Sequence, residues 1–251
     1  MIKVDLAQKG NLQARLAQTQ VEIEQAYKLR YQVFCIEGSA SKNHHELEYD
    51  DFDHFCDHII ILDQSNTVIG TCRLLSKESP NIKFYSETEF ELTSLMSRHN
   101  NLKFLEIGRS CIDSKYRTGL AAKLLWQAIW TYFRDKNFDV MIGCASLEGI
   151  DYNVHKQTLA LIYQLAAAPE LWNVRASKNA QKIQTIEIPE IEIKNQLKKI
   201  PPLLKGYLRL GAYVSSDVSI DTEFGTTDVF IALPKERINP RYFEHFGAPN
   251  H

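Results

Sequence analysis

No stretch of the sequence approaches the roughly 20 consecutive apolar residues that a membrane-spanning helix needs. The first residues also lack the apolar centre of a signal peptide, so we expect a cytoplasmic protein. An excess of basic charge is missing too: 29 lysines and arginines face 31 aspartates and glutamates, which gives no general support for nucleic-acid binding. The five cysteines have no paired spacing, so we predict reduced thiols and no zinc site.

Repeats, low-complexity segments and obvious linkers are absent as well, so residues 1–251 are predicted to form a single domain with ample material for a core. Apolar periodicity predicts alternating helices and strands, the pattern of a mixed α/β layer fold. Between 167 and 202 the pattern loosens into short β-like runs and proline-containing turns. The predicted elements are a helix at 21–34, a hairpin of strands at 59–63 and 68–75, a strand at 104–112, a helix at 119–136, a strand at 140–146, a helix at 151–166, and a closing helix or turn and strand in "LLKGYLRLGAYV" and "TTDVFIALP".

Glycine is scarce at the join between the strand at 104–112 and the next helix. The turn "SKYRTGLAA" has one glycine and matches neither the P-loop nor the dinucleotide-binding pattern, so an ordinary turn is one interpretation. A helix start nevertheless presents N–H groups and a partial positive charge that suit a phosphate. Lys115 and Arg117 add charge beside that start and favour the phosphate interpretation.

Two charged residues, Glu106 and Arg109, interrupt the same apolar strand. Regular alternation would place them on opposite faces of the sheet. A bulge between them would bring both to one face, and Gly108 is the residue type that tolerates one. The pair is then either an ion pair at a strand end or a base beside an anion-binding arginine.

The segment 43–58, "NHHELEYDDFDHFCDH", is predicted to be an acidic loop, either solvated or partly pinned to the core by its aromatic residues. Arg30 and Arg73 each stand in an apolar stretch, and a buried arginine is costly unless it meets an acid, which this loop could supply. Its carboxylates could also bind an amine substrate. The spacing is not that of an EF-hand, and the histidines form no helix-face pair, so no metal site is predicted.

Basic residues gather late in the chain. A solvated face is one interpretation, and a docking patch for an acidic protein or an anionic membrane surface is the other. These residues are Lys194, Lys198, Lys199, Lys205 and Arg209.

Eight segments, each weak alone, form a specific ordered set: "LRYQVF", "EYDDFDHFCDH", "GTCRLL", "FYSETEFELTSL", "LEIGRSCIDSKYRT…LLW", "GCASLEGID", "PPLLKGYLRLGAYV" and "FGTTDVFIALP". Together they resemble the acyl-carrier-protein-dependent ornithine Nα-acyltransferases of ornithine-lipid biosynthesis, also catalogued as haemolysin-like. That family belongs to the GNAT-like superfamily, beside the autoinducer synthases. The resemblance runs from about Leu29 to Phe246. It implies an α/β, autoinducer-synthase-like fold with a mixed β-sheet flanked by helices, a GNAT-like core at about 20–235 and a C-terminal tail at 236–251.

The resemblance also implies roles for individual residues. The autoinducer-synthase pattern has Arg-x-x-x-Phe in the first helix, two acids in the next loop, an arginine in the hairpin and Glu-x-x-Arg in a bulged strand. The acids would bind a substrate ammonium or hold the arginines in place, and an arginine could hold the amino acid's carboxylate. The implied catalytic base is Glu106; the implied substrate-binding residues are Arg30, Phe34, Asp50, Asp53, Arg73 and Arg109; the implied phosphopantetheine-binding residues are Cys111, Ile112, Arg117, Thr118 and Gly119.

One departure from the GNAT pattern bears on the acyl donor. The usual acetyl-CoA signature is Arg/Gln-x-x-Gly-x-Gly/Ala, and Leu120 stands where its first glycine belongs. Close wrapping around a CoA pyrophosphate is therefore not expected, whereas an acyl carrier protein presents a single phosphodiester and needs a shallower site. The departure favours the carrier protein as donor.

The expected activity is transfer of a long-chain, 3-hydroxy fatty acyl group from acyl carrier protein to the α-amine of ornithine, giving lyso-ornithine lipid. No bound cofactor is expected, since the 4′-phosphopantetheine thioester arrives as a co-substrate. Expected partners are the carrier protein, ornithine and, by peripheral contact, the inner membrane surface. The alternatives are an acyl-homoserine-lactone or other long-chain N-acyl amino acid synthase, and a non-catalytic, membrane-associated interaction protein on the same scaffold.

Overall fold

The computed structural model describes residues 5–77, 82–117 and 119–238, which form two compact units. Unit 1 consists of the described residues within 1–82 and 104–138. Unit 2 consists of those within 83–103 and 139–238. Strands and helices are numbered in chain order through both units. The single domain over 1–251 stays a prediction.

Unit 1 is built on an antiparallel sheet in the order β1-β2-β3-β4-β5. One short 3₁₀-helix precedes β3 and another follows β5. The elements are β1 Asp5–Lys9, β2 Leu12–Leu16, α1 Gln20–Arg30, a π-helix Tyr31–Glu37, a 3₁₀-helix Asp51–Phe55, β3 Cys56–Leu62, β4 Val68–Ser76, β5 Phe104–Ile112, a 3₁₀-helix Ser114–Tyr116 and α3 Leu120–Asp135.

Helices cover the sheet of unit 1. Ala26 and Leu29 of α1 pack against Ile60 and Leu62 of β3 in one apolar cluster. Because side chains alternate along a strand, Ile59 and Ile61 point to the opposite face, and both are fully buried. Helix α3 contacts β1, β2 and β3. Strands β3 and β4 are therefore buried on both faces over most of their length, which explains their apolar runs.

The strands of unit 2 pair antiparallel in the order β6-β9-β8-β7. Helix α4 packs against β8 and α5, and α6 packs against β6 and β9. The elements are a 3₁₀-helix Tyr85–Thr88, α2 Thr93–Arg98, β6 Val140–Glu148, α4 Tyr152–Ala166, β7 Gln181–Lys182, α5 Glu190–Lys199, α6 Pro202–Leu210, β8 Tyr213–Asp221 and β9 Thr226–Pro234.

The predicted elements are confirmed, with corrections at four places. The first helix is α-helical only to Arg30 and continues as a π-helix to Glu37. The acidic segment 43–58 contains a 3₁₀-helix and the start of β3. The interval 167–202, predicted as β-like runs and turns, contains α5. The hairpin β1–β2 and strand β8 were not predicted.

In the described part of the chain, the search for a helix long and apolar enough to cross a membrane finds none.

Candidate active site

Arg30 ends α1 with a side chain that is only 1% exposed. Its Nη1 and Nη2 donate to the two oxygens of Asp53 over 2.6 and 3.0 Å, a bidentate pair. Its Nε donates to Glu48. The acidic segment thus supplies the partners that a buried guanidinium needs, as the sequence predicted.

Two arginines of the sheet join the same acids. Arg73 of β4 places Nη1 2.6 Å from Asp50 and 3.2 Å from Asp53. Arg109 of β5 donates from Nε to Glu48 and from Nη2 to Asp50, each over 3.0 Å. Each arginine therefore binds two acids and each acid binds two arginines, in a closed cycle. We call this cycle the charge ring; its members, in order, are Arg30, Glu48, Arg109, Asp50, Arg73 and Asp53.

The ring keeps Arg30, Glu48 and Asp53 ionised although they are buried. Burial alone would raise the pKa of Asp53, but hydrogen bonds and charge from Arg30, with Arg73, lower it to about 2. Burial likewise opposes ionisation of Glu48, and Arg109 and Arg30 outweigh it and lower the pKa of that carboxyl. For Arg30, the two acids more than offset burial and raise the pKa of the guanidinium. Three carboxylates and three guanidiniums thus stabilise one another.

Local structure fixes the two aspartates of the ring. Asp50 caps the 3₁₀-helix by accepting the Phe52 N–H, and Asp53 accepts the Asp50 N–H in return. This is a reciprocal capping box. Both carboxylates bind Nη1 of Arg73, so they lie on the same side of the segment. The sequence "DDFD" therefore presents two carboxylates as one unit.

A bulge in β5 brings Arg109 to the ring. Across the ladder Arg73 pairs with Gly108 but Thr71 pairs with Cys111, so β5 has one extra residue in between. Arg109 carries the strain, with a φ of 49°. A bulge near Gly108 was predicted; the structure corrects its position, because the left-handed residue is Arg109. Its ion pairs with Glu48 and Asp50 hold a conformation that a non-glycine residue seldom adopts.

Glu106 lies on the face of the sheet that carries Arg73. It pairs with Leu75, two residues from the Arg73–Gly108 pair, and it is only 3% exposed. Burial raises the pKa of the Cys56 thiol to about 12, and the charges of Arg73, Asp53, Glu106 and Asp50 all act on that thiol. The Glu106 carboxylate is therefore within electrostatic reach of the same group as three ring members.

Two predicted residues contribute apolar surface. Phe34, in the π-helix, packs against the cluster formed by α1 and β3, and Cys111 belongs to that cluster. Burial raises the pKa of the Cys111 thiol, which is therefore neutral. Cys111 can therefore bind the phosphopantetheine arm through its backbone but not through a thiolate.

The predicted phosphate site lies where α3 begins. Gly119 precedes the helix with a φ of 86°, and the described residues provide no side-chain cap there. Arg117 donates from Nε to the Ile112 carbonyl over 2.9 Å and pairs through Nη2 with Glu37 at 2.6 Å. Its side chain is 45% exposed, so the guanidinium is accessible to solvent as well as paired. Thr118, also predicted to bind here, lies outside the described residues.

Glu48 is the ring member that the residue assignments omitted. It belongs to the acidic segment 43–58, of which the resemblance implies only Asp50 and Asp53 as site residues. The signal was a charge count: three arginines in apolar strands and helices require three acids, and two had been assigned. Glu48 supplies the third.

Comparison with known proteins supports the class that the fold suggests. The Acetyltransferase (GNAT) domain profile matches residues 29–127. The structure of FeeM, an N-acyl amino acid synthase from uncultured soil microbes, superposes with a TM-score of 0.50 at 10% identity and covers 92% of this chain and 96% of that one. The predicted fold is confirmed. The protein has the GNAT fold.

Sequence relatives narrow the class. The L-ornithine N(alpha)-acyltransferase of Brucella abortus (strain 2308) is 38% identical over 257 residues, spanning 97% of this chain and 91% of the relative. The protein of the same name from Agrobacterium fabrum (strain C58 / ATCC 33970) is 36% identical over 252 residues, spanning 95% and 86%. The chain belongs to the L-ornithine N(alpha)-acyltransferase family.

Proposed function

We propose that this protein moves a long-chain 3-hydroxy fatty acyl group from acyl carrier protein to the α-amine of ornithine, with lyso-ornithine lipid as product. One observation carries the proposal: relatives named L-ornithine N(alpha)-acyltransferase match at 36–38% identity over nearly the whole chain. Ornithine as acceptor follows from that name. The carrier-protein donor and the 3-hydroxy chain rest on the family resemblance, and Leu120 in place of the signature glycine favours the carrier protein.

Glu106 is the proposed general base. An ammonium has no lone pair, so the α-amine must lose a proton before its nitrogen can attack the thioester carbon. A carboxylate that is 3% exposed and beside a bulge can take that proton directly or through a water. The new C–N bond then replaces the C–S bond, and the phosphopantetheine thiol leaves with a proton. Backbone N–H groups at the bulge would stabilise the oxyanion that forms in between.

The charge ring is proposed to position Glu106 rather than to bind the acceptor. Each of the three acids already forms ion pairs with two arginines. This supports the view that the acids hold those arginines in place. The ring connects α1, the 3₁₀-helix, β4 and the bulge of β5, and Glu106 lies on β5 two residues before Gly108. A rigid frame of this kind keeps a base within the narrow tolerance that catalysis requires.

The donor's phosphate is proposed to bind at Arg117 and the start of α3. The support is the uncapped helix start with its partial positive charge, together with a solvent-accessible guanidinium beside it. Glu37 occupies that guanidinium in the structure, so an arriving phosphodiester would exchange with it. The glycine-poor turn agrees with a single phosphate rather than a pyrophosphate.

Peripheral contact with an anionic membrane is proposed through α5 and α6. The side chain of Ile191 on α5 is 83% exposed, and the exposed lysines of the same helix lie near it in sequence. Such a surface combines an apolar insertion point with charge attraction to anionic lipids. Co-sedimentation with phosphatidylglycerol vesicles but not with phosphatidylcholine vesicles is expected; equal recovery with both would refute the contact. The basic residues are Lys194, Lys198, Lys199, Lys205 and Arg209.

The test of the proposed function compares donors at fixed ornithine. Purified protein receives 3-hydroxyacyl carrier protein, the matching acyl-CoA, or acetyl-CoA, and products are identified by mass spectrometry. N-acylated ornithine should form fastest from the carrier protein. Turnover with acetyl-CoA but not with long acyl thioesters would refute the proposal.

A further inference from the structure

Unit 2 brings together three carboxylates that are far apart in the sequence. Glu89 follows the 3₁₀-helix at Tyr85–Thr88, Asp221 ends β8, and Asp228 lies in β9. One carboxylate oxygen from each residue lies within 4.8 Å of those of the other two. Like charges this close repel one another unless something compensates them.

The environment of Asp228 indicates that this cluster binds a ligand. It occupies a strand between two others, opposite Ser146 of β6 and Ser219 of β8, and is only 4% exposed. Its Oδ1 is buried and has no hydrogen-bond partner in the described parts of the chain. A buried carboxylate oxygen without a partner costs several kcal/mol, since it loses water and gains nothing. Such an atom is explained if it coordinates a cation.

Asp221 is held in place by its own turn. Its Oδ1 accepts the backbone N–H groups of Glu223 and Phe224 over 2.8 and 3.0 Å. Its Oδ2 lies 3.5 Å from the Tyr85 hydroxyl. The turn between β8 and β9 therefore fixes the orientation of this carboxylate before any ligand arrives, which lowers the entropic cost of binding.

We propose that Glu89, Asp221 and Asp228 bind a hard divalent cation, Ca²⁺ or Mg²⁺. All three groups offer oxygen, the ligand atom these ions prefer, and the cluster includes neither nitrogen nor sulfur to select zinc. The three carboxylates carry three negative charges when all are ionised; a divalent ion compensates two of them, whereas an alkylammonium compensates only one. The hydroxyl of Ser146, paired with Asp228 across the ladder, and water would complete the coordination shell.

The electrostatics of Asp228 agree with this assignment. Burial, reinforced by the Asp221 carboxylate, raises the pKa of Asp228 above its ordinary range, and hydrogen bonds with the Ser146, Thr226 and Glu89 side chains offset only part of the rise. The ionised form of Asp228 is thus under-compensated by the protein alone. A bound cation would tie the β8–β9 hairpin to the segment at Tyr85–Glu89, so its role is structural.

The test uses the full chain freed of metal by dialysis against a chelator. Titration with Mn²⁺, followed by electron paramagnetic resonance, should show one bound ion per chain, displaced by Ca²⁺ or Mg²⁺. The melting temperature should rise with either of the latter ions, because a ligand of the folded state stabilises it. Asp228→Asn should weaken Mn²⁺ binding at least tenfold, while the metal-free variant melts no lower than the metal-free wild type.

Asp217→Asn is the matched control, since it removes the same charge from β8 outside the cluster and should leave Mn²⁺ affinity unchanged. Glu89→Gln is a second variant, so that a folding failure of Asp228→Asn does not decide the matter. Absence of stoichiometric Mn²⁺ binding to the wild type would overturn the proposal. So would equal loss of affinity in Asp217→Asn, or stabilisation by 1,4-diaminobutane with none by the metal ions.

Discussion

Removing a buried charge of unit 1 should lower the free energy of unfolding much more than removing a surface charge. Asp53→Asn leaves Arg30 with an amide in place of its bidentate carboxylate, and breaking a buried pair of this kind costs about 3 kcal/mol or more. The neighbouring Asp51 is exposed, so Asp51→Asn should change the free energy of unfolding by less than about 0.5 kcal/mol. Urea denaturation of both variants measures the difference. Equal stability of the two would contradict the structure's account of the ring.

Acid should weaken the fold in a defined interval. The pKa of Asp53 is lowered to about 2 in the folded protein, whereas an unfolded aspartate titrates near 4. Its contribution is therefore complete above about pH 4 and lost as the pH falls toward about 2, and it amounts to roughly 2 kcal/mol. Urea denaturation across this interval should show the free energy of unfolding falling steeply. The slope should be shallower in Asp53→Asn, and an unchanged slope would show that Asp53 does not titrate as described.

Replacing the proposed base isolates its chemistry. Glu106→Gln keeps the shape of a side chain that is 3% exposed but cannot accept a proton, so transfer should fall by at least a hundredfold with the fold intact. Circular dichroism checks the fold, and a continuous assay of thiol release checks the rate. Glu24→Gln, on an exposed position of α1, is the control and should retain full activity. Full activity of Glu106→Gln would exclude Glu106 as base.

Which residues could be predicted depended on whether a local anomaly marked them. Arg30, Arg73 and Arg109 each interrupt an apolar run, and a charge in such a place requires a partner. Asp50 and Asp53 are marked by their alternation with aromatic residues. Glu89, Asp221 and Asp228 carry no such signal, because their proximity is created by the folding of unit 2. A cluster of that kind is invisible until the strand pairing is known.

At the scale of whole elements, the bulge of β5 shows how far a local pattern reaches. The sequence indicates that a bulge is needed if Glu106 and Arg109 are to share a face. It does not show which residue takes the left-handed conformation, since glycine is the favoured choice. Arg109 takes it because ion pairs with Glu48 and Asp50 hold it there. Tertiary contacts thus override the backbone preference of a single residue.

The start of α3 yields a prediction about donor binding. Arg117→Ala should raise the KM for acyl carrier protein about tenfold with little change in kcat, because a charge-assisted contact to phosphate is lost. Stability should hardly change, since the Arg117–Glu37 pair is exposed. Steady-state kinetics with varied carrier protein is the measurement.

Two further variants make that experiment specific. Glu37→Gln releases Arg117 from its partner and should lower the KM for the donor or leave it unchanged. Arg134→Ala removes a positive charge from the far end of the same helix and should leave the KM unaltered. An equal rise of the KM in Arg134→Ala and Arg117→Ala would show that the KM depends on overall charge and not on a specific contact of Arg117.

The elements that the sequence did not predict have only a weak apolar periodicity. Strands β1 and β2 are five residues each and half polar; β1 is the edge strand, and β2 lies between it and β3. Helix α5 buries little besides Gln196, so its apolar pattern is faint. Strand β8 follows α6 after a glycine and mixes serines with valines. The buried elements β3, β4, α3 and β6 were identified because their packing demands long apolar patterns.

For the molecule as a whole, membership of the L-ornithine N(alpha)-acyltransferase family and the chemistry of unit 1 point to the same reaction class. The family likeness extends over both units, since the relative from Brucella abortus spans 97% of the chain. The GNAT profile covers residues 29–127, which include the whole charge ring and Glu106. The fold class could therefore be predicted from apolar patterns. The assignment of a substrate rests instead on the similarity of the whole chain to its relatives.

The most direct test of the central claim is a competition among acceptors. Purified protein is given 3-hydroxyacyl carrier protein with equal amounts of ornithine, lysine, 2,4-diaminobutyrate and norvaline, and tandem mass spectrometry identifies the products and the acylated nitrogen. We predict that ornithine acylated on its α-nitrogen is the major product. Acylation of the side-chain nitrogen, or preferential acylation of any other amino acid, would contradict the account.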